Sequence, residues 1–155
     1  MKHIHFDVES DGFYGAYWAC KDGSDCTVIA MLGDDPEDYM ARSAVKWLIR
    51  LGVNVLTMSP GKKDYGHHNY PLECIEKAMA WLKLHGNEKI GIAGASTTGT
   101  LALTAASIYP SRWRPSLRIY GGQPSCGVGR LRYAVSGGAG KAAPVWGGAL
   151  CAKFP

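Results

Sequence analysis

The last part of the chain lacks the side chains that carry most acid–base chemistry in proteins. After Ser96 there is no aspartate, glutamate, histidine or asparagine. Residues 1–96 have a net charge of −3, whereas residues 97–155 have a net charge of +7. A carboxylate or imidazole that acts as a general base is therefore excluded from residues 97–155.

Long apolar runs and paired cysteines are also missing. No run reaches the roughly 18 apolar residues of a membrane span, and "MKHIHFDVES" lacks the apolar core of a signal peptide. The five cysteines form no C-x-x-C pair, and no G-x-G-x-x-G or GK[ST] motif occurs. The absent cysteine pairs and nucleotide motifs give no support for a metal or nucleotide site. We therefore expect a cytoplasmic protein without a membrane span, a metal or another cofactor.

What is present is an alternation of buried runs and amphipathic segments. Apolar runs predict strands near 27–32, 53–58 and 89–93, and periodic patterns predict helices near 37–51, 71–85 and 98–108. Strands that alternate with helices in this way favour a parallel sheet. "HIHFDVES" and "FYGAYWAC", which come earlier, predict an antiparallel hairpin. The fold class is α/β, with a mostly parallel sheet flanked by helices and opened by that hairpin.

The first predicted helix has the clearest local signals. Asp35 is the expected N-cap and Pro36 the expected first helical residue. The expected inward face is apolar and consists of Met40, Ala44, Trp47, Leu48 and Leu51.

The alternation stops at Pro110, which divides the chain into residues 1–110 and a tail of residues 111–155. The tail has nine glycines and no helical pattern. One explanation, favoured by the abrupt change in composition, is an out-of-frame translation. The other is a real basic tail that binds nucleic acid or another partner. Its scattered cations have few aromatic residues between them, so nucleic acid is not the expected partner.

"GASTTG" (Gly94 to Gly99) joins the third buried run to the last helix. A serine on a tight strand-to-helix turn is pushed out of the backbone, and small neighbours make such a turn possible. Ser96 is therefore a candidate nucleophile, although Thr98 stands where G-x-S-x-G has its second glycine. The alternative is that Ser96 only caps the helix.

Two other loops follow predicted strands. "LGDDPED" contains Gly33 and Asp34, which are candidates for the second donor of an oxyanion hole, although its acids also suit helix capping. A metal site there would lack the spacing of a calcium loop. His67 and His68 follow the next strand and are candidates for substrate binding or, alternatively, a solvated pair; a zinc site would need further ligands.

The segment "KDYGHHNYPLECIEKAMAWLKLHGNEKIGIAGASTTGTLALTAASIYP" resembles bacterial α/β hydrolases of the acyl-CoA thioester hydrolase type. These are related to the catalytic domain of bile acid-CoA:amino acid N-acyltransferase. The resemblance covers roughly Phe13 to Pro110, and its most specific parts are "GHHNYPLE" and "GASTTG". Relatives of this kind have a threonine at the position of Thr98. The resemblance implies a partial α/β-hydrolase fold, Ser96 as nucleophile, and an oxyanion hole made by the Thr97 N–H and a group in Gly33–Asp34.

The resemblance also implies a Ser–Asp–His triad in chain order, with the acid and base after the serine. No such residues follow Ser96 here, and His67 or His68 is the only stand-in base that we consider. The expected function is a serine hydrolase or acyltransferase that acts on small acyl thioesters or esters, with little activity in this chain alone. The alternative is an inactive fragment or a binding module with a basic tail.

Overall fold

The computed structural model describes residues 2–32, 34–59 and 69–109, together with the backbone of 118–119 and 133–134. The elements are, in chain order, β1 (Ile4–Phe6), α1 (Val8–Asp11), β2 (Gly15–Trp18), β3 (Cys26–Met31), α2 (Tyr39–Arg50), β4 (Asn54–Met58), α3 (Glu73–Leu84), β5 (Lys89–Gly94), α4 (Thr97–Ile108), β6 (Arg118–Ile119) and β7 (Tyr133–Ala134). Within these residues, no helix combines the length and apolar character needed to cross a membrane.

Five strands form a mixed sheet in the order β1-β2-β4-β3-β5. β3 lies in parallel between β4 and β5, whereas β1 and β2 pair antiparallel at the other end of the sheet. The parallel arrangement predicted for the three buried runs is confirmed, and so is the antiparallel hairpin. The hairpin connection contains the single helical turn α1, so Val8, expected to continue the first strand, is helical instead.

The sheet has helices on both faces. α3 and α4 cover one face, and their apolar side chains pack against alternate residues of the strands. This core includes Phe6, Phe13, Ile29, Met31, Leu56, Met58, Ile75, Met79, Leu82, Ile90, Ile92, Ala102 and Ala105. α2 covers the other face, where it packs on Ala16, Trp18, Ala30 and Val55. The alternation along β3 and β4 follows from the two-residue period of a strand.

The inward face of α2 differs from the prediction. Ala41, Val45 and Leu48 are buried, whereas Met40 is 55% and Trp47 is 44% exposed. The side chains below the helix include alanines and valines, so small and branched side chains allow the helix to approach the sheet closely. The bulkier Met40 and Trp47 are left at the surface.

The predicted cap of this helix is also wrong. α2 begins after Asp38, whose carboxylate accepts a hydrogen bond from the Ala41 N–H at 2.8 Å. The Asp35 carboxylate instead accepts from the Glu37 N–H at 2.7 Å, which forms a turn before the helix. Both residues satisfy backbone donors, but at successive turns of the chain.

The amino ends of the parallel strands are joined by a buried polar cluster around Asn87. Its Oδ1 accepts hydrogen bonds from Thr27 Oγ1 at 2.5 Å, Asn54 Nδ2 at 2.8 Å and Tyr17 OH at 3.2 Å. Its Nδ2 donates to the carbonyl of Leu82 at 3.1 Å. These contacts connect the loop before β5 with the first residues of β3 and β4, at the edge of the sheet opposite to Ser96.

Residues 111–155, whose nine glycines and missing helical pattern also predict poor packing, lie largely outside the described residues. Only the backbone of β6 and β7 is described there, and these two strands pair antiparallel. The division of the chain at Pro110 stays a prediction.

Candidate active site

The three parallel strands end level with one another. Met31, the last residue of β3, pairs with Met58 of β4 and with Gly94 of β5. The segments that follow these strands therefore leave the sheet at one edge. In open α/β sheets this carboxyl edge is where ligands bind and reacting groups gather.

Ser96 lies at this edge with a strained backbone. Its φ of 57° and ψ of −127° make it the sole residue other than glycine with a positive φ in the described part of the chain. Ser96 occupies the N-cap position of α4, but its side chain is exposed and makes no capping hydrogen bond to the helix. Strain of this kind costs on the order of 1–3 kcal/mol and is concentrated at functional sites.

The tight turn depends on the absence of a side chain at Gly94. A Cβ at this position would overlap the carbonyl group of Thr98 and would lie 2.9 Å from the Gly99 nitrogen. The obstacle is the backbone of α4, which cannot rotate away as a flexible side chain can. The glycine thus allows α4 to begin immediately beside the end of β5.

We predict that Gly94→Ala lowers the free energy of unfolding by about 3 kcal/mol, because the new methyl group pushes α4 away from β5. Gly86→Ala is the matched control, since Gly86 has a φ of 78° but open space around its Cβ position. The control should cost about 1 kcal/mol from backbone strain alone. Urea denaturation of both variants measures the difference, and a smaller loss for Gly94→Ala than for Gly86→Ala would contradict the steric argument.

The residue two after Ser96 is tied into the backbone of the site. Thr98 is 3% exposed, and its Oγ1 lies 2.5 Å from the Met31 carbonyl oxygen and 2.7 Å from that of Ala95. It also accepts a hydrogen bond from the Ala95 N–H at 3.2 Å. The departure from G-x-S-x-G therefore places a hydrogen-bonding side chain inside the turn.

The residues predicted for an oxyanion hole are only partly described. Thr97 is the first residue of α4 and is half-buried. Gly33 lies outside the described residues, whereas Asp34 is exposed and its carbonyl accepts a hydrogen bond from the Ser59 hydroxyl at 2.5 Å. Ser59 was not predicted from the sequence, although a polar residue directly after a buried strand indicates a position at the carboxyl edge of the sheet. Its bond connects the loops that follow β3 and β4.

The remaining acids of the same loop have partners nearby. The Asp35 carboxylate accepts a hydrogen bond from the Tyr14 hydroxyl at 3.0 Å. Burial, together with this hydrogen bond and the negative charge of Asp35, raises the pKa of Tyr14 to about 12.

No group of three or more metal-binding side chains occurs among the residues that the structure describes.

Glu37 contacts two histidines, His3 and His5, for which the sequence predicted no role. His3 Nε2 lies 3.1 Å and His5 Nδ1 2.9 Å from the same Glu37 oxygen. Burial raises the pKa of Glu37, but the hydrogen bonds and charges of His5 and His3 outweigh it, so the pKa lies below its ordinary value. These contacts connect the edge strand β1 with the turn that precedes α2.

The histidines predicted to serve the site, His67 and His68, lie outside the described residues. Of the histidines that are described, His3 and His5 contact Glu37, and His85 contacts the carbonyl of Trp81. Of the predicted site residues, the structure brings together Ser96, Thr97 and the loop that contains Asp34 at the carboxyl edge of the sheet, and Thr98 lies beside them.

Comparison with known proteins gives structural matches. No protein-family profile matches the chain, and no curated protein sequence matches it. Est1E from Butyrivibrio proteoclasticus matches with a TM-score of 0.58 and 19% identity, over 74% of this chain and 48% of that one. An esterase from Pyrococcus furiosus matches with a TM-score of 0.52 and 22% identity, over 70% of this chain and 44% of that one.

A putative α/β hydrolase of unknown function from Agrobacterium tumefaciens matches with a TM-score of 0.54 and 15% identity, over 77% of this chain and 59% of that one. The chain thus spans about half the length of the solved structures that it matches. At these identities the likeness concerns the fold. The described chain has a partial α/β-hydrolase fold, with a mixed sheet flanked by helices and a strained serine at its carboxyl edge.

Proposed function

We propose that this chain carries the nucleophile part of a serine hydrolase or acyltransferase active site, whose substrates are small acyl thioesters or esters. Ser96 attacks the acyl carbonyl carbon, the leaving thiol or alcohol departs, and the acyl group is held as an ester on Ser96. Water or an amine then releases the acyl group. The thioester preference rests on the resemblance of "GHHNYPLE" and "GASTTG" to acyl-CoA thioester hydrolases.

The observation that carries the proposal is the backbone of Ser96. A serine with φ of 57° and ψ of −127°, between a parallel strand and a helix, presents its hydroxyl outside the sheet edge. Gly94 and Thr98 maintain this turn through their contacts with the start of α4 and the end of β3. The similarity in fold to proteins named as esterases supports the same chemistry.

The oxyanion hole is assigned to the Thr97 N–H and to a group in Gly33–Asp34. Thr97 begins a helix of 12 residues, and the positive end of the helix dipole stabilises the negative oxygen of a tetrahedral intermediate. The loop with Asp34 leaves the neighbouring strand at the same level as Ser96 leaves β5, because Met31 pairs with Gly94.

A complete triad requires a base and an acid, and residues 97–155 contain neither. We assign substrate binding to His67 and His68, which also remain the candidates for a stand-in base. We further propose that residues 111–155 are translated out of frame. The nucleotide sequence tests this proposal, because another frame after codon 110 should encode strands, an aspartate and a histidine.

Ser96→Cys tests the nucleophile without a base. A thiol ionises far more readily than a hydroxyl, and a helix N-terminus lowers its pKa. The thiolate introduced at position 96 should attack an acyl-CoA carbonyl, expel the CoA thiolate and retain the acyl group, which adds one acyl mass at this position. Peptide-resolved mass spectrometry over time measures the rate at pH 7 and separates the introduced thiol from the native cysteines.

Ser107→Cys is the matched control, since Ser107 is exposed in the last turn of the same helix, where the dipole has the opposite sign. We expect acylation at least about tenfold faster at position 96 than at position 107. A p-nitrophenyl ester of the same acyl chain shows whether thioesters are preferred. Equal rates at the two positions would sink the nucleophile assignment and favour an inactive fragment or binding module.

A further inference from the structure

One buried hydroxyl joins the two segments of the candidate site that come from distant parts of the chain. Thr98 Oγ1 lies within hydrogen-bond distance of the Ala95 carbonyl at 2.7 Å and the Met31 carbonyl at 2.5 Å. It accepts the Ala95 N–H at 3.2 Å, and its single O–H hydrogen is shared between the two carbonyls, of which that of Met31 is the nearer. Because Thr98 is 3% exposed, water has little access to compete for these contacts.

Local helix chemistry explains only part of this arrangement. Threonine near the start of a helix often bonds to backbone a few residues away, as Thr98 does to Ala95. Met31, however, is 67 residues away in sequence and belongs to β3. The bond to its carbonyl extends the connection between β3 and α4 beyond the last ladder pair, Met31 with Gly94.

The two joined residues lie one to three positions before the proposed catalytic groups. Ala95 is followed by Ser96, and Met31 is followed by Leu32 and the loop with Gly33 and Asp34. A hydroxyl that contacts both backbones joins the segment that leads to Ser96 with the segment that leads to Asp34. A glycine at position 98, as in G-x-S-x-G, has no group that could make this connection.

We propose that Thr98 is a positioning residue that fixes the loop after β3 relative to Ser96 and so aligns the two halves of the oxyanion hole. This proposal rests on the proposed function. A misplacement of about 1 Å between reacting groups costs up to about 10²-fold in rate. The hydrogen bond to the Met31 carbonyl is therefore expected to affect acyl transfer far more than it affects the rest of the fold.

The test combines Thr98→Val and Thr98→Ser with Ser96→Cys in the full chain. Valine keeps the shape of threonine but removes the hydroxyl, and serine keeps the hydroxyl. We expect Thr98→Val to lower the maximal rate at which acetyl-CoA acylates the thiol at position 96 about 10- to 100-fold, with little change in the half-saturating concentration. Thr98→Ser should restore the rate to within about twofold of the parent, which a role in packing alone would not predict.

Thr27→Val is the matched control for lost stability. Thr27 is buried and hydrogen-bonded like Thr98, but it lies at the opposite end of β3, beside Asn87. The control should destabilise the protein and leave acylation at position 96 unchanged. An equal loss of rate in Thr27→Val and Thr98→Val, or an unchanged rate in Thr98→Val, would overturn the positioning role while the nucleophile assignment stands.

Backbone amide NMR shifts give a readout that does not depend on acylation. Thr98→Val should shift the signals of both Ala95 and Leu32, whereas shifts at Ala95 alone would overturn the proposal. If a thiol at position 96 reacts no faster than a thiol at position 107 in every background, the proposed function fails. The NMR result then decides separately whether Thr98 joins the two segments.

Discussion

Ser96→Ala is expected to leave acyl thioester hydrolysis by the 155-residue chain unchanged. In a form whose segment after Pro110 supplies a base and an acid, it should lower the rate on the order of 10⁴- to 10⁶-fold. A serine hydroxyl stays protonated at neutral pH, so a favourable turn and a helix N-terminus do not make it reactive without a base. The same substitution should thus have no effect on the rate in one protein and a large effect in the other, although the two share the described fold.

Four proteins measured side by side give the answer. They are the 155-residue chain, the restored chain, in which the segment after Pro110 supplies a base and an acid, and each of these two with Ser96→Ala. Steady-state release of CoA from an acyl-CoA substrate is the readout. Substantial turnover by the 155-residue chain that depends on Ser96 would mean that a base is present, and His67 and His68 would be the first residues to replace. A restored chain that hydrolyses the thioester equally well with and without Ser96 would contradict the nucleophile assignment.

Asn87→Ala should cost about 2–4 kcal/mol of unfolding free energy, a large share of the stability of an ordinary domain. The truncation removes the acceptor for Thr27 Oγ1 and for one bond of Asn54 Nδ2, and both partners are buried. It also removes the bond from Asn87 Nδ2 to the Leu82 carbonyl. Polar groups left without partners in the interior lose the compensation for their desolvation.

Urea denaturation at neutral pH measures this loss, with Asn69→Ala as the control because Asn69 is an exposed amide. The control should change stability by less than about 0.5 kcal/mol. If Asn87→Ala also changes the free energy of unfolding by less than about 0.5 kcal/mol, the cluster around Asn87 does not hold the amino ends of the strands together.

The alternation of apolar runs and amphipathic segments predicted the elements from Cys26 to Ile108, because each element is specified by its own periodicity. The boundaries shifted by one or two residues, most clearly at α2. There, Asp35 and Asp38 are both good capping residues, and the sequence alone does not rank them. Asp38 accepts the capping hydrogen bond from Ala41.

For the candidate site, the sequence predicted the turn that carries Ser96 but not the hydrogen bonds between distant segments. The small residues before Ser96, Gly94 and Ala95, indicated the tight turn, and the turn is present with its unusual backbone. The bonds from Ser59 to Asp34 and from Thr98 to Met31 could not be predicted, since each joins residues that are far apart in sequence.

The sequence by itself determined the order and type of the elements, the serine at the end of the last parallel strand, and the loss of pattern after Pro110. Tertiary structure decided which side of α2 is buried, because the helix carries two apolar stripes. In the folded protein Ala41, Val45 and Leu48 are buried, and Val45 and Leu48 belong to the core between α2 and the sheet. It also decided the strained backbone of Ser96, since a strained conformation persists only where surrounding contacts such as those of Gly94 and Thr98 impose it.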